Sequence, residues 1–365
     1  MASPAAQPPV SPSTPVSPAA GAAARPQRPL PPVELVRPGL WSIPVPLPNT
    51  SLRYVLVYVF ETPAGPYLVD AGWDNDEAYD ALSAGLVTVG SRIEDVRGVL
   101  VTHVHPDHYG LAHRVREASG AWVSLHPADA AVIPQFEGSE PSPAFYGMLR
   151  RAGAPTSAID EQRTALRMLA SREIPRPDLL IEDGEEPDVP GWALTSIWTP
   201  GHTPGHLCFW EPRYRLLLSG DHVLPRITPN VPPPADDDGD TLGDFLESLG
   251  RLAERDAAEV LPAHEHRFTD LGGRLAQLVG HHERRFAEVL TALAEGCEVA
   301  WDVAERMSWS RPWQQMDLLA RRAAVGEAFA HLRALARRGL VIEKSGETVH
   351  WSPADGSGSG SGSPA

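Results

Sequence analysis

The chain has 365 residues, 42% of them apolar, enough to bury a core and to suit one large domain plus a small one. Its formal net charge of 31 − 47 = −16 runs against a surface built to neutralise phosphate backbones. Two cysteines, Cys208 and Cys297, are too few for a disulfide scaffold or a cysteine zinc cage, and no run approaches the roughly 18 continuous apolar residues of a membrane span.

Residues 1–31 are Pro, Ala and Ser with almost no large apolar side chain, so disorder is expected there. Short apolar runs at 41–45, 54–60 and 67–69 read as strands, the last ending in LVDAG with Asp70 at its terminus. A helix is expected from Glu77 to about Leu86. The apolar run at 98–102 is a strand that feeds directly into THVHPDHYG. Residues 111–118 look helical and 121–125 look extended, so strands and helices alternate as in a layered α/β domain. Residues 139–173 break the rhythm with helical patches at 144–152 and 160–170, an insertion that fits a lid, a substrate wall or a plain surface excursion. Strands resume at 192–198, 207–210 and 215–219. A Pro/Asp-rich loop at 232–238 leads to a helix at 242–254 and a strand at 258–261.

From Gly273 the pattern turns helical. Leu275, Leu278, Val279, Phe286, Val289, Leu290 and Leu293 share one face, and Gly296 stops the run. A short helix at 299–307 and a longer one at 317–338 follow, the latter with Val325, Phe329, Leu332 and Leu335 as its buried stripe. Strands at 340–342 and 348–351 flank Ser345-Gly346. Periodicity alone gives a small α+β domain over 273–352, its three helices and hairpin matching a winged-helix pattern, and the Gly/Ser tail at 353–365 reads as flexible linker. The N-terminus lacks the basic-then-apolar pattern of a signal peptide, so a soluble, cytoplasmic protein is the expectation.

The chemistry concentrates at strand ends. His103, His105, Asp107 and His108 fall within six positions where a buried strand meets a helix. Imidazole nitrogen and carboxylate oxygen suit zinc and similar divalent metals. Side chains alternate along an extended chain, so His103 and His105 point the same way. Asp107 and His108 lie past Pro106 and can serve an adjacent site. Three further strands end in ligand types: His202 follows 192–198, Asp221 follows 215–219 and His264 follows 258–261. One such Asp alone would be a cap and one such His a core or surface residue. Four strands ending alike point to a metal centre.

These motifs, HVHPDH, TPGHTPGH, SGDH and LPAHEH, resemble those of the metallo-β-lactamase superfamily over Val36 to Asp270. The resemblance implies a four-layered αββα sandwich with a two-metal site at one edge, spanning residues 32–272. It implies that His103, His105 and His202 hold one metal, that Asp107, His108 and His264 hold the other, and that Asp221 bridges them. The ions would be zinc, with iron or manganese as alternatives. Asp70 matches the acidic residue beneath the site and would orient a ligand histidine. His206 would support the site, while His113, His126, His222 and His266 read as structural or surface residues. Residues 273–351, with His281-His282-Glu283-Arg284-Arg285 on their first helix, resemble the beta-lactamase-like protein 2 group of that superfamily.

The activity so implied is hydrolysis by a hydroxide bridging two metals, with Asp107 orienting it and passing a proton to the leaving group. A carbonyl ester, thioester or lactone is the favoured substrate. Glyoxalase II shares TPGHTxGH, but residues 221–228 read DHVLPRIT where that enzyme shows a Gly-Cys-Gly-Arg element, which speaks against a glutathione thioester. Cleavage of RNA or another phosphodiester is the alternative, weakened by the acidic charge. His105 stands where flavodiiron relatives carry Glu, and the complete second ligand set is more than a one-iron persulfide dioxygenase needs. A non-enzyme reading makes the winged helix a metal-dependent DNA-binding regulator. Residues 281–351 carry equal numbers of acidic and basic residues, so a solvated arginine helix and a role as substrate wall or homodimer contact are preferred.

Overall fold

The computed structural model describes residues 29–48, 52–136, 143–167, 174–233 and 239–354. The expected tails at 1–28 and 355–365 and the loop centre at 234–238 lie outside these residues, as do parts of the 139–173 excursion.

Among the described residues, seven strands form a first sheet in chain order: β1 (Glu34–Arg37), β2 (Leu40–Pro46), β3 (Tyr54–Phe60), β4 (Tyr67–Val69), β5 (Gly98–Leu100), β6 (Trp122–Leu125) and β7 (Leu179–Leu180). Pairing is antiparallel from β1 to β4 and parallel from β4 to β7. The parallel steps need crossovers, supplied by α1 (Asp76–Thr88), α2 (Pro106–Tyr109), α3 (Ala112–Ser119) and α4 (Pro127–Ala130). A second sheet holds β8 (Thr195–Trp198), β9 (Leu207–Glu211), β10 (Leu216–Gly220) and β11 (Glu259–Pro262), in the order β11-β10-β9-β8. Helices α5 (Pro143–Arg151) and α6 (Thr156–Arg167) occupy the excursion, and α7 (Thr241–Ala253) joins β10 to β11.

Period-two alternation divides the strands between cores. Val55, Val57 and Val59 of β3 pack with Leu82 and Leu86 of α1 and Val115 of α3. Their alternates, Leu56, Tyr58 and Phe60, pack with Phe209, Leu216 and Leu218 of the second sheet. On that sheet's far side, Cys208, Leu217 and Val260 meet Phe245 and Leu249 of α7. Helices, sheet, sheet and helices therefore stack as the αββα order expected. Strand β8 is shorter than the run at 192–198 suggests. Trp192 instead leaves the sheet, donates from its indole to the Glu61 carbonyl at 3.1 Å and meets the Phe60 ring edge-on. Strands β1 and β7 escaped the sequence reading because ELVR does not alternate and β7 is two residues long.

The C-terminal region holds α8 (Leu271–Ala294), α9 (Ala300–Arg306), α10 (Leu318–Arg337) and the antiparallel hairpin β12 (Val341–Lys344) with β13 (His350–Pro353). Helix α8 starts two residues before the expected Gly273, because the Asp270 carboxylate accepts from Gly273 N at 2.8 Å and caps it. Helix α10 departs from the expected solvated arginine helix. It is buried almost all round from Ala324 to Leu335, and Arg333 is buried and paired with Glu343 at 3.0 Å. Leu278, Phe286, Val325, Phe329 and Trp351 share one core with Phe245 and Val260, so apolar packing continues across residue 272. No helix among the described residues is long and apolar enough to cross a membrane.

Candidate metal centre

The predicted residues converge from the carboxyl ends of β4, β5, β8, β10 and β11, where an open α/β sheet leaves room for a ligand. Asp70 follows β4, His103 to His108 follow β5, His202 follows β8, Asp221 follows β10 and His264 follows β11. Pro106 occupies the first turn of α2, which lifts Asp107 and His108 out of the extended path that carries His103 and His105. Three donor groups form, each offering one ligand atom per residue with those atoms all within 4.8 Å of one another: His103, His105 and His202; His103, His108 and Asp221; and Asp107, His108 and His264.

The partners of the outer ring nitrogens orient the inner ones. His202 Nδ1 bonds the Asn230 carbonyl at 2.7 Å, and His264 Nδ1 bonds the Tyr54 carbonyl at 2.9 Å. His108 Nδ1 lies 2.8 Å from Asp70 Oδ2, and His103 Nδ1 lies 3.0 Å from Thr102 Oγ1. A carbonyl or carboxylate accepts only from N–H, so the Nε2 lone pairs of His108, His202 and His264 turn into the cluster. There His103 Nε2 and His202 Nε2 stand 2.9 and 3.1 Å from His105 Nδ1. Asp221 directs Oδ2 to His202 Nε2 at 3.6 Å and Oδ1 to His264 Nε2 at 3.3 Å and His108 Nε2 at 3.6 Å.

This donor set fits divalent cations. His108 Nε2, His264 Nε2 and Asp221 Oδ1 are buried without a hydrogen-bond partner, a cost of about 1–3 kcal/mol each that coordination would remove. Burial, aided by the neighbouring imidazoles, pushes His103 well below its ordinary range and His105 down to about 3, so both stay neutral. The other group behaves oppositely. Burial pushes His264 down, but Asp221 and Asp107 outweigh it and raise it to about 10. Burial likewise lowers His108, but Asp70, Asp107 and Asp221 hold it well above its ordinary range. Burial pushes Asp107 up, yet His108 and His264 bring it to about 2.

Supporting residues complete the centre. Asp70, in the left-handed region at φ 65°, also accepts from Thr102 N at 2.8 Å. His206 accepts the Asp221 N–H on Nε2 at 3.1 Å while its Nδ1 lies 2.8 Å from Thr199 Oγ1, so it fixes the Asp221 backbone. That approach requires Gly220: a Cβ there would lie 2.6 Å from His206 Nε2. Two residues outside the sequence reading also contribute. Buried Asp129 joins the loops of His103 and His202, and its pKa rises to about 6 because burial outweighs its hydrogen bonds. Glu265, at φ 69°, accepts from Arg226 N at 3.1 Å and Arg226 Nε at 2.8 Å. Asp129 lies in no motif; Glu265 lies within LPAHEH, and its adjacency to His264 is the available signal. Of the histidines read as structural, His222 is fully buried against Phe245, His126 accepts from Ala128 N at the start of α4, and His113 lies near the Gly110 carbonyl.

Residues 50–264 match the family model of the metallo-beta-lactamase superfamily. The Beta-lactamase-like protein 2 homolog of Caenorhabditis elegans is 26% identical over 310 residues, 84% of this chain and 87% of its own length. The probable metallo-hydrolase YqjP of Bacillus subtilis is 26% identical over 276 residues, 73% of this chain and 84% of its own. Among solved structures, a metallo-beta-lactamase family protein from Thermus thermophilus superposes with a TM-score of 0.73 at 30% identity, covering 87% of this chain and all of that one. A beta-lactamase domain protein from Burkholderia ambifaria gives 0.72 at 25% identity, covering 88% and 95%.

Proposed function

The chain belongs to the metallo-beta-lactamase superfamily, and from that premise we propose that it hydrolyses a carbonyl ester, thioester or lactone at a centre of two divalent cations. His103, His105 and His202 would hold one cation and Asp107, His108 and His264 the other. The observation that carries this reading is the split of Asp221, one oxygen toward His202 and the other toward His108 and His264. Donors of histidine and carboxylate type suit zinc first, then iron or manganese. Such a pair of cations would polarise the carbonyl oxygen and lower the pKa of the attacking water.

The chain's own residues do the rest. Asp107 has its side chain 17% exposed, against 10% for Asp221, so of the two carboxylates in the cluster it is the one better placed to reach substrate. As a carboxylate beside the cluster, it accepts a proton from the attacking water and returns it to the leaving oxygen or sulfur. Asp70 keeps the His108 proton on Nδ1, and His206 keeps Asp221 in place. A neutral carbonyl substrate suits a chain of charge −16 better than a polyanion does. Burial of Arg333, and the bonds of Arg321 to the Trp313 and Gln314 carbonyls, leave α10 a poor DNA-reading surface. A panel of lactones, thioesters, esters, β-lactams, phosphodiesters and RNA, run with metal-loaded and chelated protein, tests the proposal. Chelator-sensitive turnover confined to carbonyl substrates is expected; turnover confined to RNA or phosphodiesters would overturn the substrate class.

A further inference from the structure

We propose that Asp129, which lies outside every metal-binding motif, is a positioning residue that ties together the two loops of the three-histidine group and sets that group's metal affinity. The inference rests on the dinuclear reading above and adds a residue to it.

Asp129 is fully buried in α4, close to the end of β6. Its Oδ2 accepts from Val104 N at 2.8 Å and from Thr203 Oγ1 at 2.8 Å, and its Oδ1 accepts from Gly205 N at 2.6 Å. Val104 sits between His103 and His105, and Thr203 directly follows His202. One carboxylate therefore holds the backbone on both sides of the His103, His105, His202 triangle. The contact is close: a Cβ on Gly205 would lie 2.4 Å from Asp129 N, so the second loop lies directly on the backbone of α4. Asp107, His108 and His264 are supported elsewhere, His108 by Asp70 and His264 by the Tyr54 carbonyl. A carboxylate that merely stabilised the fold would weaken both cation sites alike; a clamp on one triangle acts on one of them.

Asp129→Asn keeps the size but replaces one acceptor oxygen with a donor. Its amide NH₂ must then face either the Gly205 N–H or the Val104 N–H, and one loop is released. In zinc-loaded full-length protein titrated with a competing chelator, His105→Ala and His264→Ala assign the two release steps. For Asp129→Asn, the step assigned to the three-histidine group should shift at least about tenfold toward weaker binding, as partners of metal ligands typically do, with the other within about twofold. Thr203→Val, which removes a single donor, should weaken the same step by less and serves if the first variant fails to fold. Two unshifted steps, or two steps weakened equally, would overturn the inference while leaving the dinuclear site intact. A wild-type chain that takes up no zinc would overturn the dinuclear reading and this inference with it.

Discussion

Replacing Asp70 with Asn isolates a single proton. Asp70 sits at φ 65°, a conformation that Asn tolerates nearly as well as Asp, so the backbone is not strained by the change. The amide oxygen can still accept from Thr102 N, now 2.8 Å from Oδ1. Its NH₂ then takes the place of Oδ2, 2.8 Å from His108 Nδ1. Two donors cannot face each other, so either the pair goes unsatisfied in a fully buried site or the His108 proton moves to Nε2 and blocks the ligand lone pair. Either outcome costs about 1–3 kcal/mol, which is roughly 5- to 150-fold in cation affinity. Competition between the protein and a fluorescent zinc chelator reads this directly, and far-ultraviolet circular dichroism checks the fold. An Asp70→Asn variant that holds both cations as tightly as wild type would refute the assigned role of the His108 tautomer.

Three further outcomes are expected. His264, raised to about 10, and His108 carry protons at neutral pH in cation-free protein; His264 thereby adds stability that is full below about pH 6.5 and is lost as pH rises through about 10. Cation uptake near pH 8 should therefore release protons, so the heat of zinc binding should depend on the ionisation enthalpy of the buffer, and a buffer-independent heat would contradict those charge states. Glu265→Gly relieves a left-handed residue worth about 1–2 kcal/mol but frees the Arg226 backbone beside the His264 loop, so zinc retention should weaken with little change in the urea midpoint; unchanged zinc retention would show that Glu265 does not support the ligands. Phe329→Ala empties a buried position against Trp351 and should cost about 3–5 kcal/mol. Because that core is shared with β11 and α7, urea unfolding should remain one transition at a lower midpoint, and two separate transitions would contradict the shared core.

Much of the centre is legible in the sequence because strand ends fix where side chains go. A buried strand followed by a ligand type is a local signal, and His103, His202, Asp221 and His264 each carry it. The layered architecture follows from the same apolar runs, since alternation along β3 separates the residues facing α1 from those facing the second sheet. Legibility fails where the signal is a contact distant in sequence. Asp129 lies 25 residues from Val104 and 76 from Gly205 along the chain, and nothing in HPADA announces either partner. The arginines of α10 mislead for the same reason: Arg333 reads as solvated until β12 brings Glu343 against it.

A dinuclear centre requires Asp221 to serve two cations at once. Metal content per chain, measured by inductively coupled plasma mass spectrometry on wild type and on Asp221→Ala beside hydrolysis of the best panel substrate, tests this most directly. Close to two ions in wild type, with weakened retention at both sites and lost turnover in the variant, is the predicted result. Full hydrolysis by protein stripped of metal, or a variant that keeps both ions and full turnover, would contradict it.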